Sequence, residues 1–303
     1  MPAKPSRRTF PTVSIIGPGR LGQALAIALT SSGYRVKALV ARRAIKAGKI
    51  SVLLSTSHRR VDVFSMTQLS KLAPTDLILI TTPDDAIEDV ARQLEVATSN
   101  RSGTKRGIVL HTSGALSSEV LSRLAGVGFH VGSLHPLVSV SEPSTGAKAF
   151  GGAFFCVEGD AVAKKLAKRI VTDLGGKSFD IEAQKKPLYH AAALTAAGHL
   201  TALIDLAMEM LSACGLDRPT AQKVLMPLVE SAVNNLKVSP PEKVLTGTFA
   251  RGDMETVRRH LEALSGTEQA EALKVYKLLG LRSLGLATGL DPKLVADIRK
   301  LIK

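Results

Sequence analysis

Apolar residues along the chain follow two periods, and the point where the second one takes over divides the sequence in two. Up to residue 182, short apolar runs alternate with segments of helical spacing; the runs are 12–16, 34–41, 76–81, 107–111, 129–134, 154–157 and 177–181. From Glu182 onward, the pattern is only helical. Strands that alternate with helices indicate a doubly wound, mostly parallel sheet. We therefore predict an α/β domain over 1–182, with a disordered tail over 1–10, and an all-helical domain over 183–303.

Other segments have weaker patterns. Residues 50–54 and 61–66 are apolar and short, and they are predicted as strands or sheet edges. Residues 138–150 lack periodicity and are predicted as a loop, and the segment 247–253 is predicted as a break between helices.

The first apolar run leads directly into Gly17-Pro18-Gly19-Arg20-Leu21-Gly22, after which apolar residues take helical spacing. Three glycines in this pattern, between a strand and a helix, are typical of a dinucleotide-binding Rossmann turn. The glycines allow a tight turn, a close approach of pyrophosphate to the backbone, and close packing of helix on strand. The six residues of this turn are predicted to bind a dinucleotide. The alternative is a β-turn-α corner without a ligand.

The end of the second predicted strand carries Arg42 and Arg43. A carboxylate at this place binds the ribose 2′-hydroxyl of NAD, whereas an arginine accommodates the 2′-phosphate of NADP. The sequence has no Asp or Glu between Gly22 and Asp62. We therefore predict NADP as the cofactor in preference to NAD, unless the two arginines are simply surface residues after a strand.

Polar residues follow three further predicted strands. Thr82 and Pro83 come after the third, Ser113 after the fourth and His135 after the fifth. Ligands in open α/β sheets lie beyond the carboxyl ends of the strands. Thr82 and Pro83 are therefore predicted at the cofactor, Ser113 as a contact for a substrate carboxylate, and His135 as a proton donor. The structural alternatives are a helix cap for Ser113 and a backbone hydrogen bond for His135.

Composition adds few constraints. The net charge of +14 raises nucleic-acid binding as a possibility, but the basic residues are scattered and lack interleaved aromatic residues, so we do not expect it. No metal site is predicted, because the histidines are dispersed and the two cysteines are far apart. No run of about 20 apolar residues is found, so we expect a cytoplasmic protein without a membrane partner.

Six motifs occur in a fixed order: Gly-Pro-Gly-Arg-Leu-Gly, Thr-Pro-Asp-Asp, His-Thr-Ser-Gly-Ala-Leu, Ser-Leu-His-Pro-Leu, Tyr-His-Ala-Ala-Ala and Leu-Thr-Gly-x-x-Ala-Arg-Gly-Asp. Over residues 12–290 the chain resembles bacterial candidate oxidoreductases that join a Rossmann-like domain to a helical domain of unknown function. Their architecture is similar to that of pyrroline-5-carboxylate reductase, ketopantoate reductase and 6-phosphogluconate dehydrogenase. The resemblance implies NADP binding, a two-domain cleft and a homodimer formed through the helical domain.

The resemblance also directs attention to the start of the long helix, which supplies the acid–base side chain in similar dehydrogenases. His190 and Lys186 are the candidates here, and lysine is the usual acid in several of those enzymes. Where the family has Asn, this chain has Gly198, and where it has Pro after Leu-Thr-Gly, this chain has Thr248. The first departure puts a catalytic assignment on that helix in doubt.

Arg251 could bind an anionic substrate, or it could pair with Asp253 within the predicted loop. Together these residues predict an NADP-dependent oxidoreductase that transfers a hydride to or from a small, anionic C=O or C=N substrate. The alternative is an NADP-binding sensor or regulatory protein without turnover.

Overall fold

The computed structural model of the protein describes residues 9–42, 44–55, 60–99 and 106–303. Within these ranges, eight strands form one sheet in the order β3-β2-β1-β4-β5-β6-β7-β8. The strands are β1 (Thr12–Ile16), β2 (Arg35–Ala41), β3 (Asp62–Ser65), β4 (Leu77–Ile80), β5 (Ile108–His111), β6 (His130–Pro136), β7 (Phe154–Gly159) and β8 (Lys177–Asp180). All neighbouring strands are parallel except β6 and β7. The predicted doubly wound, mostly parallel sheet is therefore confirmed.

Helices cover both faces of this sheet. They are α1 (Arg20–Ser31), α2 (Ala44–Leu54), α3 (Asp84–Thr98), α4 (Ser122–Gly126), α5 (Pro143–Ala149) and α6 (Ala161–Asp173), with short 3₁₀ turns at Met66–Lys71, Ser118–Leu121 and Ala183–Lys185. One buried core lies between the sheet and α1, α2 and α6, and a second lies between the sheet and α3 and α4. Two covered faces explain why the strands are continuous apolar runs instead of alternating ones.

Two segment predictions are wrong. Residues 50–54, predicted as a strand or sheet edge, form the end of α2. Ile50 and Leu54 are buried whereas Val52 and Leu53 are exposed, which is the spacing of one helix face. The predicted loop over 138–150 contains α5. That helix is short and made of small residues, with Pro143 at its start, so it has no apolar period to detect.

The chain divides into two compact units, residues 1–197 and 198–303. The division falls within a long helix, α7 (Lys186–Ala213). The alternation of strands and helices ends at β8, close to the domain boundary that we predicted after residue 182. The first unit extends beyond that point because side chains from the first turns of α7, such as Lys186 and Tyr189, bond to residues of the sheet domain.

The second unit is all-helical, as predicted. Its helices after α7 are α8 (Arg218–Val238), α9 (Pro241–Val244), α10 (Thr248–Arg251), α11 (Met254–Ala263), α12 (Ala270–Leu286) and α13 (Pro292–Ile302). The predicted break over 247–253 is thus partly helical: Arg251 is the last residue of α10, and Gly252 follows it in a left-handed conformation with φ +67°. Such a glycine is a common helix terminator.

The end of the first unit and the start of the second share a markedly apolar segment. By length and composition alone, the helical stretch Ala183–Ala213 is long and apolar enough to cross a membrane, with a mean hydropathy of 1.4. None of its most apolar window is buried. The absence of a membrane partner therefore stays a prediction.

Candidate active site

The glycine turn lies between β1 and α1, and its glycines have different physical roles. Gly17 has φ +81°, and a Cβ there would lie 2.9 Å from the backbone nitrogen of Thr82. A Cβ on Gly22 would overlap the Thr81 hydroxyl and lie 3.1 Å from the carbonyl oxygen of Gly17. A Cβ on Gly19 would meet only that carbonyl, at 3.9 Å. The first and third glycines thus permit packing within the protein, while the space above Gly19 is open for a ligand.

The amino end of α1 is suited to bind an anion. Its N-cap residue is Gly19, and no side chain caps it. The first N–H groups of a helix lack intrahelical partners and carry the positive end of the helix dipole. A phosphate is therefore a natural partner for this end of α1.

A cleft of about 850 Å³ adjoins the turn, at the place where the sheet order reverses between β1 and β4. The residues that line it are Gly17, Pro18, Gly19, Val40, Ala41, Arg42, Met66, Thr81, Thr82, Pro83, Asp85, Ala86, Asp89, Val90 and Gln93. Five predicted cofactor residues besides Gly17 therefore line this cleft, and Arg20, Leu21 and Gly22 form the first turn of α1 beside it. Arg43 lies outside the described residues.

The cleft wall carries charges of both signs. Arg42 follows β2 and is exposed, whereas Asp85 and Asp89 come from α3. The Asp89 carboxylate is hydrogen-bonded to Arg92 and Gln93 of the same helix. The Thr82 hydroxyl is buried and has no hydrogen-bond partner among the described residues. A buried, unpaired hydroxyl beside a cleft is a group that a ligand would satisfy.

Ser113 lies in the loop that follows β5. Its hydroxyl donates to Asp84 Oδ2 at 2.8 Å and accepts from the backbone N–H groups of Ala115 (3.1 Å) and Leu116 (2.9 Å). A serine hydroxyl offers one donor and two lone pairs, so all of its capacity is used. These contacts hold the bend that follows β5, but Ser113 caps no helix, because the next helical turn begins at Ser118 and its N-cap is Ser117. The substrate role of Ser113 stays a prediction that would require one of these contacts to be exchanged.

Lys186 is fully buried at the first turn of α7. Its Nζ donates to Ser133 Oγ at 2.8 Å and to the carbonyl oxygen of Ser113 at 3.2 Å. Burial lowers the pKa of Lys186, and the nearby Cys156 and Glu158 oppose that shift. A lysine with a lowered pKa suits acid–base chemistry, but its nitrogen points into the protein.

The two candidate histidines lie side by side. The rings of His135 and His190 are 5.4 Å apart, centroid to centroid, and nearly perpendicular. His135 Nδ1 is 2.7 Å from the Tyr189 hydroxyl, so its partner is a side chain and not the backbone. His190 Nδ1 is buried and unpaired in the described part of the chain. Burial lowers the pKa of His135 to about 4, with smaller effects of His190 and Lys186, so its ring is neutral at pH 7.

A further histidine, His111, is the last residue of β5 and lies near Lys186 and His135. It is completely buried, its Nδ1 accepts from the backbone N–H of Ser113, and its Nε2 bonds the carbonyl oxygen of Ser117, both at 3.2 Å. Burial and the charge of Lys186 lower its pKa to about 3. A neutral ring with one acceptor and one donor fits these two contacts, and His111 thereby fixes the backbone at Ser113.

Sequence reasoning missed three polar residues of this cluster: Ser133, Glu158 and Tyr189. Glu158 is buried and accepts from the N–H of Ser118 at 2.8 Å, from its hydroxyl at 2.6 Å, and from Ser133 Oγ at 3.3 Å. A detectable signal was present, because a glutamate within the apolar run of β7 is unusual for a buried strand. The pairing of Tyr189 with a histidine 54 residues away has no signal in one sequence.

Arg251 belongs to the second unit, at the end of α10. The neighbouring Asp253 caps α11, accepting from the N–H of Thr256 at 3.1 Å and from its hydroxyl at 2.8 Å. The cap bonds and the nearby Arg251 charge lower the pKa of Asp253. The role of Arg251 toward a substrate stays a prediction.

The parallel sheet, the glycine turn and the cleft define a Rossmann-type nucleotide-binding domain, followed here by a helical region. A Rossmann-like domain description matches residues 4–136, and the domain of unknown function DUF2520 matches residues 153–283. The chain thus combines a Rossmann-like domain with a DUF2520 domain. No curated protein matches it.

Solved structures share this fold at low sequence identity. A candidate NADP oxidoreductase from Bacteroides fragilis is 21% identical with a TM-score of 0.72, over 91% of this chain and 98% of that one. A pyrroline-5-carboxylate reductase from Coxiella burnetii is 16% identical with a TM-score of 0.56, over 97% and 100%. A reductive aminase from Aspergillus terreus, in complex with NADPH and ethyl levulinate, is 17% identical with a TM-score of 0.57, over 97% and 93%.

Proposed function

We propose that the protein is an NADP-dependent oxidoreductase that transfers a hydride to or from a small, anionic C=O or C=N substrate. The observation that carries the proposal is the cleft beside the uncapped end of α1, with open space above Gly19 and Arg42 at the end of β2. Pyrophosphate would bind the helix end, and Arg42 would pair with the 2′-phosphate. The solved relatives include a pyrroline carboxylate reductase from Plasmodium falciparum with NADP bound, which supports this cofactor.

The chemistry would take place at the histidine cluster. NADP(H) supplies the hydride, so the protein has to orient the substrate and stabilise the charge that develops on its oxygen or nitrogen. His190, His135 and Lys186 are the groups of the first unit that could donate or hold a proton there. Arg251 is our candidate for binding an anionic group of the substrate, because guanidinium pairs with carboxylate in a bidentate manner.

Two observations favour a second candidate function, an NADP-binding sensor without turnover. The Ser113 hydroxyl has no free hydrogen-bonding capacity, and Lys186 Nζ is enclosed by protein. Two of the predicted site groups are therefore engaged in structural contacts, as they would be in a protein that retains the cofactor fold but not the reaction.

Nicotinamide fluorescence of the purified protein, followed by a panel of carbonyl, imine, alcohol and amine metabolites, tests both candidates. An oxidoreductase binds NADPH and changes the absorbance at 340 nm with at least one compound. A sensor binds NADPH and turns over none of them. Absence of NADPH binding contradicts both candidates.

We also propose a homodimer formed through the helical unit. Large apolar side chains of α8 and α12 are exposed, among them Val224, Leu228 and Leu278 at 55%, 68% and 70%. Exposed apolar residues this dense mark an interaction surface, and a second copy of the chain presents the same surface.

A further inference from the structure

The Tyr189 hydroxyl and His135 Nδ1 form a short contact whose hydrogen can be assigned. The two rings meet edge to face at 5.6 Å, and Phe179 packs against Tyr189 at 5.8 Å in the same manner. The phenol ring is therefore held by aromatic contacts on two sides. Its hydroxyl has little freedom to turn away from the imidazole.

The phenol is the donor in this pair. Burial raises the pKa of Tyr189, so the phenol keeps its proton. Its other polar contact is Cys156, whose own pKa is raised by burial and whose sulfur is a weak acceptor. An imidazole nitrogen accepts more strongly than a thiol sulfur. Because the His135 ring is neutral, it has one N–H, and if Nδ1 accepts from Tyr189 that N–H is on Nε2.

The Nε2 atom of His135 faces the same point as the unpaired nitrogen of His190. A Cβ placed on Gly114 would lie 2.9 Å from His135 Nε2 and would overlap His190 Nδ1. Both imidazole edges therefore converge above Gly114. With its proton on Nδ1, His190 is a second donor, and the two N–H groups can hold a single small acceptor atom between them.

We propose that Tyr189 is a positioning residue that fixes His135 as a neutral Nε2–H donor, and that this donor and an N–H at His190 Nδ1 both donate to the acceptor atom of the substrate. That atom would be a carbonyl oxygen or an imine nitrogen. This inference rests on the proposed function for the identity of the ligand. A neutral imidazole can polarise such a bond by hydrogen bonding without releasing its proton.

Nitrogen NMR of the full-length protein, labelled with ¹⁵N-histidine, tests the assignment directly. At pH 7 the wild-type protein should show His135 with a pyrrole-like Nε2 and a pyridine-like Nδ1, assigned by its loss in His135→Gln. In Tyr189→Phe this single tautomer should be replaced by a mixture. A wild-type His135 protonated at Nδ1, or an unchanged tautomer in Tyr189→Phe, would overturn the proposal.

The second unit supplies a matched control, because Tyr276 and His260 form the same kind of pair, with 2.9 Å between the hydroxyl and Nδ1. Tyr276→Phe should alter the signals of His260 and leave those of His135 unchanged. Neither measurement requires a cofactor or a substrate. A correct tautomer without NADPH binding would therefore reject the proposed function alone, and NADPH binding with the wrong tautomer would reject this inference alone.

Gly114→Ala tests the convergence of the two rings. The added methyl group should shift the ¹⁵N signals of both His135 and His190, whereas Gly126→Ala should shift neither, because nothing lies within 4 Å of a Cβ at that position. Unchanged signals of both histidines in folded Gly114→Ala would show that they do not meet above this glycine.

Discussion

In the unit of residues 1–197, helices cover both faces of the sheet and bury its central strands, and every residue of β4 is buried. In the unit of residues 198–303, the largest buried cluster among the described residues contains only Val257, Leu284, Ile298 and Ile302. Large apolar side chains on α8 remain exposed there. The difference indicates that the first unit has a core that its own helices complete, whereas the second still has apolar surface to cover.

The largest effect is expected from Gly19→Val in the first unit. The valine side chain would occupy the open space where pyrophosphate is proposed to bind, so NADPH affinity should fall at least about a hundredfold, or ~3 kcal/mol. The backbone at Gly19 has φ −71°, which other residues adopt readily, so circular dichroism should remain native.

The control for this change is Gly126→Val, at a position with nothing within 4 Å of a Cβ. It should leave NADPH affinity unaltered. Normal NADPH binding by folded Gly19→Val would show that the phosphate site is elsewhere.

The apolar surface of the second unit predicts a dimer that charge can disrupt. Val224 and Leu228 are four residues apart on one face of α8. Light scattering should give twice the chain mass of 32.0 kDa for the wild-type protein and the monomer mass for Val224→Glu combined with Leu228→Glu. Burying two carboxylates in an apolar interface would cost several kcal/mol.

Gln222→Glu, at an exposed position on another face of the same helix, should remain dimeric. A wild-type monomer at micromolar concentration would contradict the dimer. Recovery of the protein only from membranes or detergent would assign the apolar surface to a lipid environment instead.

The burial of His111 in the first unit should make the stability of the protein depend on pH. His111 has a pKa of about 3 in the folded protein against about 6.5 when unfolded, so the unfolded chain binds more protons between these values. Stability should therefore rise with pH through this window, and His111 should contribute about 2 kcal/mol to the difference in unfolding free energy between pH 5 and pH 7.

Urea denaturation at the two pH values checks this contribution. His111→Asn should reduce the difference in unfolding free energy between pH 5 and pH 7 by about that amount. His199→Asn, at an exposed position of the second unit, should not. An unchanged pH dependence in His111→Asn would mean that this histidine is not buried in its neutral form.

Local patterns and sheet topology set how far the sequence could predict the structure. The glycine turn and the polar residues at the carboxyl ends of β4, β5 and β6 were predictable, because a local turn pattern and the topology of a parallel sheet place them at one edge. The helix containing Ile50 was not predictable, because a short apolar run does not reveal its period. The pairing of Tyr189 with His135 depends on how α7 packs on the sheet, which no local pattern encodes.

The smallest expected effect concerns Arg42, which is proposed to read the 2′-phosphate. Replacing one charge-assisted hydrogen-bonding group should cost about 1.4 kcal/mol, or roughly tenfold in NADPH affinity. NADH lacks the 2′-phosphate, so its affinity should not change. Arg35→Gln, at the opposite end of β2, is the control and should affect neither cofactor.

Fluorescence titration of the wild-type protein and of Arg42→Gln with both cofactors is therefore the most direct test that the first unit is an NADP(H) site. We expect NADPH to bind the wild-type protein more tightly than NADH does, and Arg42→Gln to lose roughly tenfold for NADPH only. Equal wild-type affinities for the two cofactors, or no binding of either, would contradict this assignment.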